Sequence, residues 1–133
     1  MDKFENTNKE MDCFVTMKRW LENRNKNHTF VDYFNASGYK TVAIYGAGDL
    51  GKLLYEEIKD SNIKVSYFVD RNGEGLKNVD GIPVVMLKDV INQDQVDVMV
   101  VTPAGNFEAI SRDIVKTVPQ MRLVSLKDAV YEF

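Results

Sequence analysis

A glycine-rich segment at positions 46–51 constrains the fold of this chain more than any other feature. Its sequence, GAGDLG, follows a short apolar run at 42–45 and precedes leucines and an isoleucine at helical spacing. A second apolar run at 65–69 ends in Asp70. The pattern predicts a strand, a tight turn, a helix and a second strand, which is the βαβ unit of a parallel sheet.

The three glycines have separate physical roles in such a turn. Gly46 permits the tight exit from the strand, Gly48 lets the backbone approach a pyrophosphate, and Gly51 lets the helix pack closely on the strand. Unpaired amides of the first helical turn would point at the bound anion. Asp70 lies 19 positions after Gly51, near the roughly 20 expected of a carboxylate that binds a ribose hydroxyl. The segment predicts a nucleotide-type ligand; the alternative is that the glycines serve only the packing of this corner.

The rest of the chain continues an α/β pattern. Strands are predicted at 82–85, 96–101 and 122–125, and helices at 87–93, at 106–118 and from 126 onward. In the helix at 87–93, Leu87, Val90 and Ile91 are predicted to face inward. Residues 1–11 are predicted to be a frayed tail, followed by a helix from Asp12 and a polar loop at 23–28. A second helix is predicted between an N-cap at Thr29 and a C-cap at Gly38. We expect an α/β fold with a doubly wound, five-stranded parallel sheet in the order 3-2-1-4-5. Residues 1–38 would form an N-terminal helical segment and residues 39–133 a nucleotide-binding domain.

The segment resembles the Rossmann family of NAD(P)-binding domains. The turn IYGAGDLG, the strand end YFVDRN and the later GIPV carry the resemblance, which covers roughly residues 39 to 130. Within that family it is most similar to small modules of bacterial surface-polysaccharide biosynthesis, such as the N-terminal domains of nucleotide-sugar dehydratases or epimerases and of sugar acyltransferases. The resemblance implies NAD or NADP as cofactor, with a nucleotide-sugar or coenzyme A as the alternative ligand.

Candidate binding residues follow the predicted strand ends, where ligands bind in doubly wound sheets. Arg71 would hold a 2′-phosphate and favour NADP, whereas Thr102 and Asn106 would lie beside the glycine turn unless they only cap the next helix. Asp49 suits the helix dipole but would repel a phosphate if its carboxylate pointed inward. The complete candidate set is Gly46, Ala47, Gly48, Asp49, Leu50, Gly51, Asp70, Arg71, Thr102, Pro103 and Asn106.

No complete catalytic constellation is visible in the sequence. Short-chain epimerases and dehydratases need a Tyr-x-x-x-Lys pair beyond the fourth strand, and Tyr55 with Lys59 lies instead on the helix after the glycine turn. His28 precedes a helix and is interpreted as a solvated loop residue, and histidine and cysteine do not cluster as a metal site requires. We therefore expect a sensing, regulatory or accessory binding module. The alternatives are an NAD(P)-dependent epimerase or dehydratase component that needs a partner chain, and a non-binding docking domain for a glycosyltransferase.

Composition limits the partners. The net charge of −3 gives no reason to expect nucleic acid. Apolar runs are far shorter than the ~20 residues of a membrane span, the N-terminus is too polar for a secretion signal, and the single cysteine suits a reducing cytoplasm.

Counting helices by face indicates where a second chain could bind. The predicted helices leave one face of the sheet short of cover, so the two N-terminal helices should close it, either within the same chain or by exchange in a dimer. Of these alternatives we favour a homodimer that forms through the N-terminal helices. The first of them carries an apolar stripe that would pack on the domain or on another chain: Phe14, Met17, Trp20 and Leu21.

Overall fold

The computed structural model describes residues 3–71, 77–103 and 105–133, and of residues 3–8 the backbone only. The helices are α1 (Lys3–Asn25), α2 (Phe30–Ser37), α3 (Asp49–Ile58), α4 (Phe107–Thr117) and α5 (Leu126–Ala129), with a 3₁₀ helix at Leu87–Asn92. The strands are β1 (Thr41–Tyr45), β2 (Lys64–Val69), β3 (Asn78–Val79), β4 (Ile82–Val85), β5 (Val98–Val101) and β6 (Leu123–Ser125).

The described strands form one six-stranded sheet in the order β3-β4-β2-β1-β5-β6. Strands β4, β2, β1, β5 and β6 are parallel to one another and stand in the predicted relative order. The expectation of five strands was wrong. The additional strand, β3, pairs antiparallel with β4 and forms the edge that had been expected of β4. Between β3 and β4, Asp80 and Gly81 form the turn, with φ of 56° and 83°. An Asp-Gly pair is a strong hairpin signal, and the sequence already contained it.

Helices cover both faces of the sheet, and each face has its own apolar core. Val42 and Ile44 of β1 point to the face covered by α1, α2, α3 and α5. Ala43 and Tyr45 point to the face covered by α4 and the 3₁₀ helix. Because both faces are buried, the central strands are continuous apolar runs rather than alternating ones.

The N-terminal helices differ in part from the sequence prediction. Positions 3–11 are helical and belong to α1, so the predicted frayed tail was wrong for these residues; positions 1–2 lie outside the described residues. Asn23, expected in a loop, is buried at the end of α1, where its Nδ2 donates to the Val130 carbonyl over 2.7 Å. The caps of α2 are as predicted, with Thr29 Oγ1 accepting from Asp32 N at 3.4 Å and Gly38 at φ 79°.

One carboxylate anchors both N-terminal helices to α3. Glu57, whose side chain is 2% exposed, accepts the indole N–H of Trp20 at 3.0 Å and the backbone N–H of Phe30 at 2.8 Å. Arg24 lies 3.1 Å from the same carboxylate and supplies the compensating charge that a buried carboxylate requires. The helices therefore close their face of the sheet within their own chain.

The apolar stripe of α1 divides into two surfaces. Trp20 is 5% exposed and packs in the core, whereas Phe14 and Leu21 are 61% and 60% exposed.

Ile91, predicted to face inward from the 3₁₀ helix, is 72% exposed, so that prediction was wrong. Across the described residues, no helix combines the length and apolar character that crossing a bilayer requires.

Candidate functional site

The carboxyl ends of four parallel strands meet at one edge of the sheet, and backbone hydrogen bonds tie them together. Gly46 N donates to the carbonyl of Val69 at 2.7 Å, and Asp70 N donates to Val85 at 3.0 Å. On the other side, Thr102 N donates to the carbonyl of Tyr45 at 3.0 Å. The glycine turn therefore lies between the ends of β2 and β5, as the βαβ pattern requires.

Two glycines of the turn are required by the fold itself. Gly46 has φ of 103°, and a Cβ there would lie 2.5 Å from Thr102 Oγ1. A Cβ on Gly51 would collide with the carbonyl oxygen of Gly46, because α3 begins in direct contact with the turn. Close helix–strand packing, predicted for Gly51, is what the structure has at this position.

Gly48 is different, because neither conformation nor space requires a glycine there. Its backbone is extended, with φ −86° and ψ −160°, a region open to every residue. A Cβ at this position would have no atom of the described residues within 4 Å. Gly48 is also the N-cap of α3 and provides no side-chain cap for the first-turn amides. The turn is thus open to solvent at the one glycine that was predicted to admit a pyrophosphate.

Asp70 faces the turn. Its Oδ2 accepts the backbone N–H of Ala47 at 2.9 Å, so the carboxylate at the end of β2 holds the chain just before Gly48. The side chain is half-buried between the turn and a neighbouring cleft that it also lines. This position agrees with the spacing argument that brought Asp70 to the turn.

Thr102 and Pro103 hold the turn from the β5 side. Thr102 is 3% exposed, and its hydroxyl donates to the carbonyl of Tyr45 at 2.8 Å. The Pro103 ring lies against Gly46, within 3.2 Å of where a Cβ would stand. Thr102 is therefore a buried tie between β5 and β1 and does not cap α4.

The other turn residues divide between core and surface. Ala47 is buried and Leu50 packs partly buried against the same apolar core as α3. Asp49 is exposed in the first turn of α3, where a carboxylate suits the helix dipole.

Arg71 lines a cleft of about 250 Å³ beside Asp70. Part of its lining is apolar, from the ends of β1 and β2 and the start of the 3₁₀ helix, and charged side chains complete it. The sequence analysis missed Lys88 and Asp113 because they come from separate elements that only the fold brings together. The full lining is Tyr45, Val69, Asp70, Arg71, Met86, Leu87, Lys88 and Asp113.

Asn106 is not part of this cleft. It stands exposed before α4, makes no side-chain cap bond, and lines a different cleft of about 420 Å³. Helix α1 reaches this region, because Asp12 lies 3.1 Å from Lys127, just after β6. Asp12 Oδ2 also lies 2.9 Å from where a Cβ of Gly105, just after β5, would stand. Helix α1 thus passes close to the carboxyl ends of both β5 and β6.

The remaining candidates for chemistry serve structure or lie apart from the turn. Tyr55 donates its hydroxyl to Asp80 at 2.8 Å, and this hydrogen bond raises the pKa of Tyr55, the opposite of what a catalytic tyrosine base needs. His28 is exposed beyond the end of α1. Within the described ranges, no three histidine, cysteine, aspartate or glutamate side chains gather as a metal site would require.

A comparison with protein families finds a match over most of the chain. The model of the family described as C2185-like, N-terminal, matches residues 38–123, which include the glycine turn, Asp70 and Thr102. A search of curated proteins found no significant match.

Proposed function

This chain belongs to the C2185-like N-terminal family, and we propose that it is a nucleotide-binding module. Its parallel sheet with helices on both faces would be a Rossmann-like, doubly wound sheet, and the ligand's diphosphate would lie on the amides that follow Gly48. The role would be sensing or accessory, in surface-polysaccharide or nucleotide-sugar metabolism.

The observation that carries this proposal is the open space at Gly48. Packing and conformation explain Gly46 and Gly51 but leave Gly48 unexplained. A residue without a side chain, placed where the fold has room for one, is expected where a phosphate approaches the backbone. The N-terminal end of α3 adds a positive partial charge and first-turn amides that its N-cap residue, Gly48, does not cap with a side chain.

The neighbouring cleft supports a nucleoside on the β2 side of the turn. Asp70 stands between the turn and the cleft, within reach of a ribose that follows a phosphate at Gly48. Tyr45, Met86 and Leu87 offer apolar surface for a base, which suits the mixed lining of small-molecule sites. Arg71 adds a positive charge at the rim, as an anionic ligand would require.

The position of α1 favours a nucleotide-sugar over a dinucleotide. In doubly wound sheets a dinucleotide spans the turn, with its second nucleoside beyond the β5 side. Here Asp12 contacts the segment after β5 and bonds Lys127 after β6, so α1 occupies part of that region. A ligand with a single nucleoside, extending toward β2 and β4, fits the remaining space better than NAD or NADP.

Thermal shift with a panel of UDP-glucose, UDP, NAD, NADP and coenzyme A tests the proposal. A ligand present at ~100 times its dissociation constant stabilises the folded chain by about 2.7 kcal/mol, which shifts the midpoint by several degrees. We expect UDP-glucose or UDP to give the largest shift. The Gly48→Val variant should remain folded and lose the shift.

The matched control is Ala36→Val, which adds bulk at an exposed position on α2, away from the turn. It should keep the full ligand response. No shift with any of the five compounds, or a full shift in Gly48→Val, would contradict the proposal.

A further inference from the structure

A groove between α1 and α3 exposes a cluster of large apolar side chains. Phe14, Met17 and Leu21 of α1 and Leu53 of α3 line it, and all four are exposed. Its volume is about 740 Å³, and its lining also includes three charged residues: Lys18, Arg24 and Glu56. Together with Met11, which is also exposed, they form the kind of apolar patch that on a monomer is often an interaction site.

The exposed face of α1 has the spacing of a helix-pairing seam. Positions 10, 14, 17, 21 and 24 follow intervals of 4, 3, 4 and 3, the pattern that keeps one line of side chains facing a partner helix. Its centre is apolar, with Phe14, Met17 and Leu21. Its ends carry opposite charges, with Glu10 toward the N-terminus and Arg24 toward the C-terminus, both exposed. Arg24 also pairs with Glu57 of its own chain, yet 55% of its side chain remains exposed.

We propose that this seam binds a second copy of the chain, with the two α1 helices antiparallel about a two-fold axis. An antiparallel pair places the Glu10 end of each helix beside the Arg24 end of the other, whereas a parallel pair brings like charges together. A two-fold axis uses the same surface on both copies and closes the assembly as a dimer. The charge pattern of the seam is complementary to the same pattern in an antiparallel second copy, and this favours the chain itself as the partner.

The arrangement of side chains agrees with a dimer interface. A stable interface has an apolar centre and a polar rim. The exposed apolar side chains of the groove would form this centre, and the charged residues at its ends and edges would form the rim. Helix α1, with 23 residues, is about 35 Å long, enough to carry both ends of the seam.

Helix exchange is not the mechanism of this pairing. Trp20, at the buried edge of the groove, and Asn23 bond Glu57 and Val130 of their own chain. The two copies would meet face to face, with each α1 remaining in its own fold. The groove shares no residue with the glycine turn or the cleft beside Asp70, so this proposal and the ligand proposal stand or fail separately.

Sedimentation velocity of the full chain from about 1 to 200 µM tests the dimer. We expect the dimer mass at the upper concentrations and a dissociation constant at least a hundredfold weaker for Leu21→Glu. The matched control is Ile91→Glu, which places the same charge on a side chain that is also exposed, on the opposite face, and should leave the dimer intact. A wild-type chain that stays monomeric at 200 µM, or a Leu21→Glu variant that dimerises as well as Ile91→Glu, would overturn the proposal.

A distance measurement tests the orientation. With Cys13→Ser and Asn25→Cys, a single nitroxide label stands at the end of each α1. Antiparallel helices would separate the two labels by roughly 20–30 Å, whereas parallel helices in contact would place them roughly 10 Å apart. The shorter distance would overturn the antiparallel arrangement.

Discussion

Gly48 and Gly51 lie three residues apart in one turn, yet the fold makes different demands on them. A side chain at 51 meets the Gly46 carbonyl, a backbone group that cannot move aside without breaking the turn. A side chain at 48 meets nothing among the described residues. Substitutions at Gly51 should therefore lower stability, whereas substitutions at Gly48 should weaken ligand binding without lowering stability.

We predict opposite stability effects for Gly51→Ala and Gly48→Ser. Gly51→Ala should lose about 3 kcal/mol or fail to fold, because the new methyl group displaces backbone. Gly48→Ser should gain about 0.3 kcal/mol, because its hydroxyl supplies the side-chain N-cap that α3 lacks. Urea denaturation measures both, and the same Gly48→Ser protein should bind ligand more weakly than wild type. A Gly51→Ala protein as stable as wild type would contradict the close packing at this corner.

At the scale of elements, Glu57 joins three helices through one carboxylate. It accepts from Trp20 on α1 and from the first amide of α2, while Arg24 balances its charge. Burying this carboxylate costs little folding free energy while all three partners are present. Removing the carboxylate destabilises the fold strongly, because each of its hydrogen-bond donors is then left unsatisfied.

Glu57→Ala should cost about 3 kcal/mol of unfolding free energy, discounted from the value for a fully buried pair because Arg24 is half exposed. Trp20 is the only tryptophan, so its fluorescence reports directly on the contact that the variant removes. The neighbouring Glu56→Ala, on the exposed side of α3, is the matched control and should cost less than about 0.5 kcal/mol. Equal losses for the two variants would show that Glu57 is not the anchor.

Asp97 makes a second link between elements, at the amino end of β5. Its Oδ2 accepts from the backbone N–H groups of Lys40 at 2.7 Å and Thr41 at 3.1 Å, and these bonds hold the pKa of Asp97 below its ordinary value of 3.8. A lowered folded-state pKa stabilises the protein above the unfolded-state pKa, and this contribution is lost as the pH falls through the folded-state value.

Asp97→Asn should therefore be less stable than wild type at neutral pH, and the difference should shrink between about pH 5 and pH 2. Thermal melts across this range measure it, with Asp94→Asn, in the exposed loop before β5, as the matched control. A difference between wild type and Asp97→Asn that stays constant down to pH 2 would contradict this assignment.

The elements that sequence reasoning predicted well are those whose signals are local. The glycine segment predicted β1, α3 and β2, and the caps at Thr29 and Gly38 predicted α2. The start of α1 was missed because the segment 3–11 is mostly polar and carries no apolar stripe for a periodicity argument.

Other misses have geometric causes. Ile91 points outward because a 3₁₀ helix has three residues per turn, which aligns Leu87 with Val90 and turns Ile91 away. Thr102 was assigned to ligand contact or helix capping. The close approach of the end of β5 to Gly46 instead buries Thr102, and its hydroxyl donates to the end of β1. The cleft beside Asp70 depends on Asp113 from α4, 43 positions further along the chain, and no local pattern contains that distance.

At the scale of the whole molecule, the core does not end where the family match begins. The match starts at residue 38, after α2, yet Trp20, Phe30 and Phe34 belong to the same apolar core as β1 and α3. Phe30 and Phe34 are fully buried, and each contributes about 1.5–3 kcal/mol by leaving water. Together they represent a large part of the 5–15 kcal/mol that stabilises an ordinary domain.

A chain restricted to residues 39–133 should therefore lose fixed packing. We expect it to bind ANS and to lack the near-ultraviolet circular dichroism of the full chain, because Leu54, Ile58 and Val65 lose part of their cover. A cooperative melt with wild-type stability in this fragment would show that the N-terminal helices are dispensable to the core.

The central claim is that backbone amides after Gly48 hold an anion, and amide chemical shifts report on it residue by residue. A ¹⁵N-labelled chain titrated with UDP should show its largest amide shifts at residues 47–51 and around Asp70, with the amide of Gly38 at the far end of α2 unchanged. Saturable shifts that fall elsewhere, or no change at 47–51 with UDP in the millimolar range, would contradict the claim.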